Sequence, residues 1–152
     1  MRHLARTERD TEEFGARLAR ARPAGEALAV VFLSGELGAG KTTLVRGFLR
    51  ERGISEAVRS PTYTLVELYP TGSVTVVHAD LYRLRDPQEL EALGLRDYAQ
   101  DRHLWLVEWP ERGRGHLPAP DLTLTFSVDA AGHTMALAPH SALGSGWLNA
   151  LR

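Results

Sequence analysis

Hydrophobic residues near the start of the chain recur at the spacing of an amphipathic helix. Phe14, Leu18 and Ala21 lie three or four residues apart, with mostly charged or small residues between them. Asp10 lies before this stripe, and the acidic residue Glu13 lies three positions after Asp10, so Asp10 is the expected N-terminal cap of the helix. The pattern therefore predicts a first helix that begins at about Asp10 and buries one face.

An apolar run, a glycine-rich loop and a second helical pattern then follow in direct succession. Residues 28–33 are apolar and rich in β-branched side chains, which favours a strand buried on both faces. The second helical pattern covers residues 41–52 and stops at Gly53, a residue type that is common just beyond helix ends. The segment is therefore predicted to fold as strand, loop and helix.

The rest of the chain is dominated by strand-like runs. Two pairs of such runs are separated by turn-forming residues, which predicts two antiparallel hairpins. The runs lie at 64–69 and 74–79 and at 122–128 and 134–138, with turns at 70–73 and 129–132; a buried strand at 104–108 and helices at 86–93 and 141–152 complete the set. The sequence thus predicts an α/β fold with a mixed central sheet, flanking helices and antiparallel hairpins, in a single domain spanning residues 1–152.

Composition narrows the class of protein. The net charge is −1, so the chain lacks the basic character of proteins that hold nucleic acid by their own electrostatics. There is no cysteine, which excludes disulfides, zinc-thiolate sites and cysteine nucleophiles. The first residues carry charges throughout, and the longest apolar run, at 27–33, is too short to span a bilayer. We therefore expect a cytoplasmic protein without a membrane partner.

The glycine-rich loop carries the strongest chemical signal. Residues 35–42 read GELGAGKT and fit the phosphate-loop pattern GxxxxGK[ST], and Lys41 is the only lysine in the chain. The backbone N–H groups around Gly38, Ala39 and Gly40 are expected to surround phosphates, with Lys41 reaching the β- and γ-phosphates. The loop predicts a site for a nucleoside triphosphate.

Two threonines follow the lysine at the start of the predicted helix. Thr42 is expected to place its hydroxyl on Mg²⁺, as the last position of the motif does. Thr43 is either a donor to the α-phosphate or an ordinary threonine in the first turn of a helix.

Two acidic residues are candidates for the catalytic chemistry. Glu108 ends a buried strand, where phosphate-loop proteins place the acid that anchors Mg²⁺, directly or through water; the alternative is a solvent-facing acid at a strand end. Asp80 ends a hairpin strand and either positions the attacking water or a metal-bound water, or serves as a turn or cap residue. His78 is expected to be a core histidine, and Trp109 either a core or rim aromatic or a contact beside the nucleotide.

Together, four stretches resemble the bacterial tRNA threonylcarbamoyladenosine biosynthesis protein TsaE family. They are GELGAGKTT at 35–43, SPTYTLV at 60–66, HADLYR at 78–83 and LVEWPE at 106–111, in the order and spacing of that family. The resemblance implies a small phosphate-loop ATPase that works in the cytosol with a TsaD–TsaB pair. The pair carries the synthetic step on the adenosine beside the tRNA anticodon, so tRNA is expected to be contacted mainly through these partners.

The resemblance also implies roles for individual residues. Residues 38–43 would hold the phosphates, Thr42 and Glu108 would hold Mg²⁺, and Asp80 would be required for hydrolysis. Thr11 would contact the nucleotide near its base or ribose. At one position this chain departs from the family, which commonly has an arginine after the glycine of the last hairpin, because Gly132 is followed here by His133.

Two other functions use the same motif. A small-molecule kinase also combines a phosphate loop, Mg²⁺ and an aspartate, and residues 111–114 would then form a short basic lid. A nucleotide-sensing module without useful turnover is the third hypothesis. Residues 60–64 lie where many phosphate-loop proteins place a segment that is expected to order around the γ-phosphate, and their hydroxyl groups and proline suit such a switch.

Overall fold

A computed structural model describes residues 1–56, 58, 61 and 64–152. Across this part of the chain there are seven strands: β1 (Arg2–Ala5), β2 (Ala29–Ser34), β3 (Val66–Thr71), β4 (Val74–Asp80), β5 (His103–Glu108), β6 (Leu122–Asp129) and β7 (Gly132–Pro139). The α-helices there are α1 (Glu8–Ala21), α2 (Lys41–Glu51), α3 (Glu89–Ala92) and α4 (Ala142–Leu151), and 3-10 helices cover Leu95–Tyr98 and Pro110–Gly113. Most of the predicted elements are therefore present.

The strands form one mixed sheet in the order β1-β7-β6-β2-β5-β4-β3. Its centre is parallel, because β2 pairs with both β5 and β6 and β5 pairs with β4 in the same direction. Antiparallel pairs, β3 with β4 and β6 with β7, form the two predicted hairpins, and β1 adds to β7 at the edge. The α/β prediction with a mixed sheet is confirmed.

The two faces of the sheet bury separate apolar clusters. Side chains alternate between the faces along each strand, so on β5 Leu104 and Leu106 face one cluster while Trp105 and Val107 face the other. The first cluster is covered by α1, α2 and α4, and the second by the segment that follows β4 and by the loop after β5. This layering leaves the carboxyl ends of the parallel strands open at one edge of the sheet.

Two local predictions need correction, and one strand was not predicted. Thr7, not Asp10, caps α1: its hydroxyl accepts from the Asp10 backbone N–H, and Asp10 is the acidic partner of the capping box. The charged N-terminal residues contain strand β1, which lacks a clear alternating pattern and exists because β7 offers it a paired edge. Pro70 belongs to β3 rather than to a turn, since an edge strand tolerates a residue that cannot donate a backbone hydrogen bond.

Part of one further prediction lies outside the described residues. The segment at 60–64, expected to order around a γ-phosphate, includes positions 60, 62 and 63, which are not among them. Among the residues that are described, no helix is long and apolar enough to cross a membrane.

Candidate functional site

A cleft of about 370 Å³ lies at the carboxyl ends of the central strands, beside the start of α2. The position agrees with the general preference of open α/β sheets for ligand sites at this edge. Its lining contains every site residue predicted from the sequence: Thr11, Gly38, Ala39, Gly40, Lys41, Thr42, Thr43, Asp80, Glu108 and His133. The structure therefore brings together residues that are more than 120 positions apart in the sequence.

The glycine-rich loop joins β2 directly to α2. Its backbone has positive φ at three glycines, Gly35 with φ 144°, Gly38 with φ 77° and Gly40 with φ 104°, a conformation that glycine adopts without steric cost. Gly40 is the residue before α2 and provides no side-chain cap, so the first N–H groups of the helix have no side-chain acceptor from that position. A helix start of this kind can bind an anion through its backbone.

Lys41 is the charged group at the centre of the cleft. Its ammonium donates to the backbone carbonyls of Gly35 and Glu36, and only 4% of the residue is exposed. The pKa of Lys41 is lowered by burial, and Glu108 and Asp80 oppose that shift as nearby negative charges. The side chain is thus held within its own loop, in a position where it can meet a phosphate.

Thr42, Glu108 and His78 form a connected polar cluster beneath the loop. The hydroxyl of Thr42 donates to the two carboxylate oxygens of Glu108 at 2.9 Å and 3.1 Å, and His78 Nε2 lies 2.7 Å from Oε2 of the same carboxylate. Glu108 is 2% exposed and His78 is fully buried. The alternative of a solvent-facing acid at position 108 is therefore wrong.

Asp80 lies opposite Glu108 in the parallel register of β4 and β5. One of its carboxylate oxygens accepts from the backbone N–H of Tyr82 at 3.1 Å, which fixes the turn that leaves the strand. Asp80 is therefore a turn acid and also lines the cleft.

Trp109 connects the carboxyl end of β5 to the rim of the cleft. Its backbone is left-handed, with φ 58°, which is rare for a bulky side chain. The ammonium of Lys41 lies 4.2 Å from the centroid of its indole ring, and the Tyr82 ring lies 5.0 Å away. The Arg112 guanidinium lies over both rings, 5.1 Å from Tyr82 and 5.5 Å from Trp109. Trp109 therefore lines the cleft.

Two residues reach the phosphate loop from other parts of the fold. His133, on β7, donates through Nδ1 to the carbonyl of Ala39 at 2.7 Å, since a carbonyl can only accept. Its ring lies against the position where Gly40 would carry a Cβ, and the methyl group of Thr11 lies next to the same position. Thr11 is 2% exposed. The histidine at position 133 therefore touches the loop itself.

The cleft also contains residues that the sequence did not single out. They belong to the junction between β1 and α1 and to the tip of the loop: Arg6, Thr7, Glu8 and Leu37. A capping signal was present in Thr7 and Asp10, but nothing in the sequence indicates that this helix begins beside the phosphate loop. Packing of α1 against α2 decides that placement.

The fold and the cleft together define a P-loop NTPase-like protein with a nucleotide-binding site. The family model described as "Threonylcarbamoyl adenosine biosynthesis protein TsaE" matches residues 5–135, so the chain belongs to the TsaE family. The predicted resemblance is confirmed, and with it the connection of this family to tRNA threonylcarbamoyladenosine biosynthesis.

Individual relatives support the same assignment. The tRNA threonylcarbamoyladenosine biosynthesis protein TsaE of Haemophilus influenzae is 44% identical over 121 residues, covering 80% of this chain and 77% of the relative. The protein of that name from Treponema pallidum is 35% identical over 133 residues, covering 88% and 96%. The crystal structure of Bacillus subtilis YdiB superposes with a TM-score of 0.79 at 25% identity, covering 99% of this chain and 93% of the other.

Proposed function

We propose that the protein is a Mg²⁺-dependent, ATP-hydrolysing subunit of the machinery that makes the threonylcarbamoyl modification on tRNA. The observation that carries this proposal is the cluster of Lys41, Thr42 and Glu108 at one end of the cleft, with Asp80 beside it. A lysine, a hydroxyl group and a buried acid at a loop that can bind an anion are what Mg·ATP requires.

The phosphate loop would bind the triphosphate through backbone and side chain together. Gly38, Ala39 and Gly40 supply the turn that directs N–H groups inward, and the start of α2 adds the positive end of its dipole. Lys41 would exchange its two carbonyl acceptors for phosphate oxygens. Thr43, in the first turn of α2, would donate to the α-phosphate.

The donor set at the end of β5 suits magnesium. Mg²⁺ prefers oxygen ligands and is commonly bound by one or two protein groups together with substrate phosphates. Thr42 donates its hydroxyl proton to Glu108, so the hydroxyl oxygen and the carboxylate lie within 2.9 Å of each other. Thr42 and Glu108 would hold the ion, and when bound it would neutralise charge on the phosphates.

Asp80 and Lys41 would have different roles in hydrolysis. Asp80, whose carboxylate is fixed by the Tyr82 backbone, would orient the attacking water, and Lys41 would stabilise the charge that develops on the phosphates. Thr11 would contact the nucleotide near its base or ribose, and His133, which also lines the cleft, would contact the nucleotide beside the loop.

The family suggests the setting in which ATP would be used. We propose TsaD- and TsaB-like proteins as partners, contact with tRNA mainly through them, a cytoplasmic location and a single working domain over residues 1–152. The net charge of −1 supports an indirect contact with tRNA, because the chain has no large positive excess to hold the RNA backbone.

Phosphate release from Mg·ATP tests the proposal, with the chain alone and with a purified TsaD–TsaB-type pair. We expect slow phosphate release by the chain alone and a severalfold faster release with the pair. In Asp80→Ala both the slow and the stimulated release should be lost while nucleotide binding persists. Equal rates with and without the pair would contradict the role as a partner-stimulated subunit.

The same assay separates the other two functions. Phosphate that appears on a small acceptor instead of in solution would indicate a kinase, and binding without turnover in every condition would indicate a sensor. Residues 110–113, which include most of the proposed kinase lid at 111–114, form a 3-10 helix whose Gly113 is packed against Leu81 and Leu90. This packing supports hydrolysis over transfer to an acceptor under a moving lid.

A further inference from the structure

We propose that His78 is a positioning residue that orients the Glu108 carboxylate for its interaction with Mg²⁺ and Thr42. The inference rests on the Mg·ATP site proposed above. It assigns a role to a fully buried histidine that lies beneath the cleft and does not line it.

The hydrogen bonds to Glu108 are not equivalent. Thr42 Oγ1 lies 2.9 Å from one carboxylate oxygen and 3.1 Å from the other, so its single proton does not distinguish the two oxygens. His78 Nε2 contacts only Oε2, at 2.7 Å. The histidine therefore fixes which oxygen faces β4, and Oε1 keeps Thr42 as its donor.

The support for His78 is rigid. It lies within β4, whose backbone pairs with β3 on one side and β5 on the other, and Glu108 is at the end of β5. The residues on either side of it, Val77 and Ala79, are fully buried. A donor held by a central strand does not need to be ordered when the metal binds, which is the advantage of preorganised support around metal ligands.

A purely structural role does not account for a histidine at this position. Among the described residues, the second ring nitrogen, Nδ1, has no hydrogen-bond partner although it is buried. An apolar side chain of similar volume would fill the space without that cost. The contact with Glu108 is what a histidine adds, and buried unsatisfied groups in native proteins commonly accompany a functional requirement.

The test compares the affinity for a non-hydrolysable ATP analogue in Mg²⁺ and in EDTA, measured by calorimetry. The ratio of the two affinities reports the contribution of the metal. We expect His78→Leu to lower that ratio by roughly tenfold, as removal of such supporting groups does, with the affinity in EDTA unchanged. His78→Gln places an amide donor near the position of Nε2 and is expected to restore most of the ratio.

Two controls make the result specific. Thr71→Val removes a buried hydroxyl that donates to the Val74 carbonyl and is not part of the cleft lining, so it lowers stability without changing the Mg²⁺ ratio. In a Glu108→Gln background, His78→Leu is expected to have no additional effect on the ratio, because the histidine acts through that carboxylate.

The outcomes separate this inference from the proposed function. If the wild type gains affinity with Mg²⁺ and His78→Leu gains as much, the inference is wrong and the proposed function stands. If Mg²⁺ has no effect on the wild type, both are wrong. Should His78→Leu fail to fold, His78→Gln and His78→Asn are compared instead. The shorter amide of asparagine cannot reach Glu108, so equal ratios of affinity in Mg²⁺ and in EDTA for these two variants would overturn the positioning role of His78.

Discussion

Lys41 has two opposing electrostatic influences at the residue scale. Burial removes its ammonium from water, while Glu108, Asp80 and Glu111 favour the charged form. Burial is the larger influence, so the pKa is lowered and the folded protein bears a cost for keeping this charge in place. A cation held ready for a phosphate is a typical case in which a binding site sacrifices stability for function.

Replacement of Lys41 by methionine tests that cost. The lowered pKa means that the unfolded chain holds more protons than the folded one between the folded pKa and 10.5, so wild-type stability rises with pH in this window. Lys41→Met lacks the group, so we expect it to be more stable than the wild type at neutral pH, with an advantage that shrinks as the pH approaches 10.5. Urea unfolding of both proteins across this range measures the difference; an advantage that grows with pH would contradict the argument.

The same variant has a functional consequence. Hydrolysis of Mg·ATP by Lys41→Met is expected to fall by about 100-fold or more, as when a group that stabilises transition-state charge is removed. Phosphate release by the stable variant provides the measurement, and its higher stability rules out unfolding as the cause.

His133 makes a second prediction possible at this scale. Its Nδ1 supports the Ala39 carbonyl, so His133→Leu leaves that part of the loop without its donor. We expect nucleotide affinity to fall about threefold to tenfold, corresponding to one hydrogen bond. His133→Asn keeps a donor near the position of Nδ1 and serves as the matched control; equal losses in the two variants would show that the ring itself is the contact.

At the scale of elements, the position of α1 depends on close packing against α2. A Cβ atom on Gly47 would lie 2.0 Å from the Glu12 carbonyl oxygen, and one on Gly15 would lie 2.2 Å from the Leu44 carbonyl oxygen. The two helices therefore approach until backbones are in contact. Because α1 begins at the cleft and carries Thr11 into its lining, this approach places one wall of the site.

A single methyl group is expected to separate these helices. Gly47→Ala cannot be accommodated by a side-chain movement, because the atoms it meets are backbone, so we expect a loss of about 2 kcal/mol or more in the free energy of unfolding. Gly146→Ala is the control: its Cβ would meet only Pro23 Cγ at 3.7 Å, and alanine in a helix is favoured over glycine by roughly 0.5–1 kcal/mol. Equal effects of the two substitutions would contradict the role of close packing.

At the scale of the whole molecule, the cleft is assembled from both ends of the chain. The phosphate loop and α2 come from the first third, Asp80 and Glu108 from the middle, and His133 from the last hairpin. A ligand that contacts all of these segments stabilises the folded chain as a whole, because it binds only when they are together.

Ligand and metal removal test this coupling. With Mg²⁺ and ADP at about 100 times the dissociation constant, we expect a gain of about 2.7 kcal/mol, or roughly 5–10 °C in melting temperature. EDTA should remove part of the gain, and Thr42→Ala should make the melting temperature insensitive to EDTA. If ADP raises the melting temperature of the wild type as much in EDTA as in Mg²⁺, the result would argue against Thr42 and Glu108 as metal ligands.

The sequence by itself determined the elements with strong local signals. The alternation of apolar runs, glycine turns and helical spacing located the sheet strands from β2 to β7 and the long helices α1 and α2. The motif at 35–42 identified the phosphate loop, since both its turn and its chemistry are local properties of a few residues. The strand pattern also located Asp80 and Glu108 at the ends of strands. Parallel strands that end at the same edge of a sheet bring such acids close together.

Only the tertiary structure decided which residues meet. Strand β1 has little local preference and forms because β7 offers it hydrogen bonds. His133 and Ala39 are 94 residues apart in the sequence, and His78 and Glu108 are 30 apart. Local sequence patterns predict neither contact. Tertiary packing also determined the exposure of Glu108, because whether an acid at a strand end faces water or a threonine depends on what packs over it.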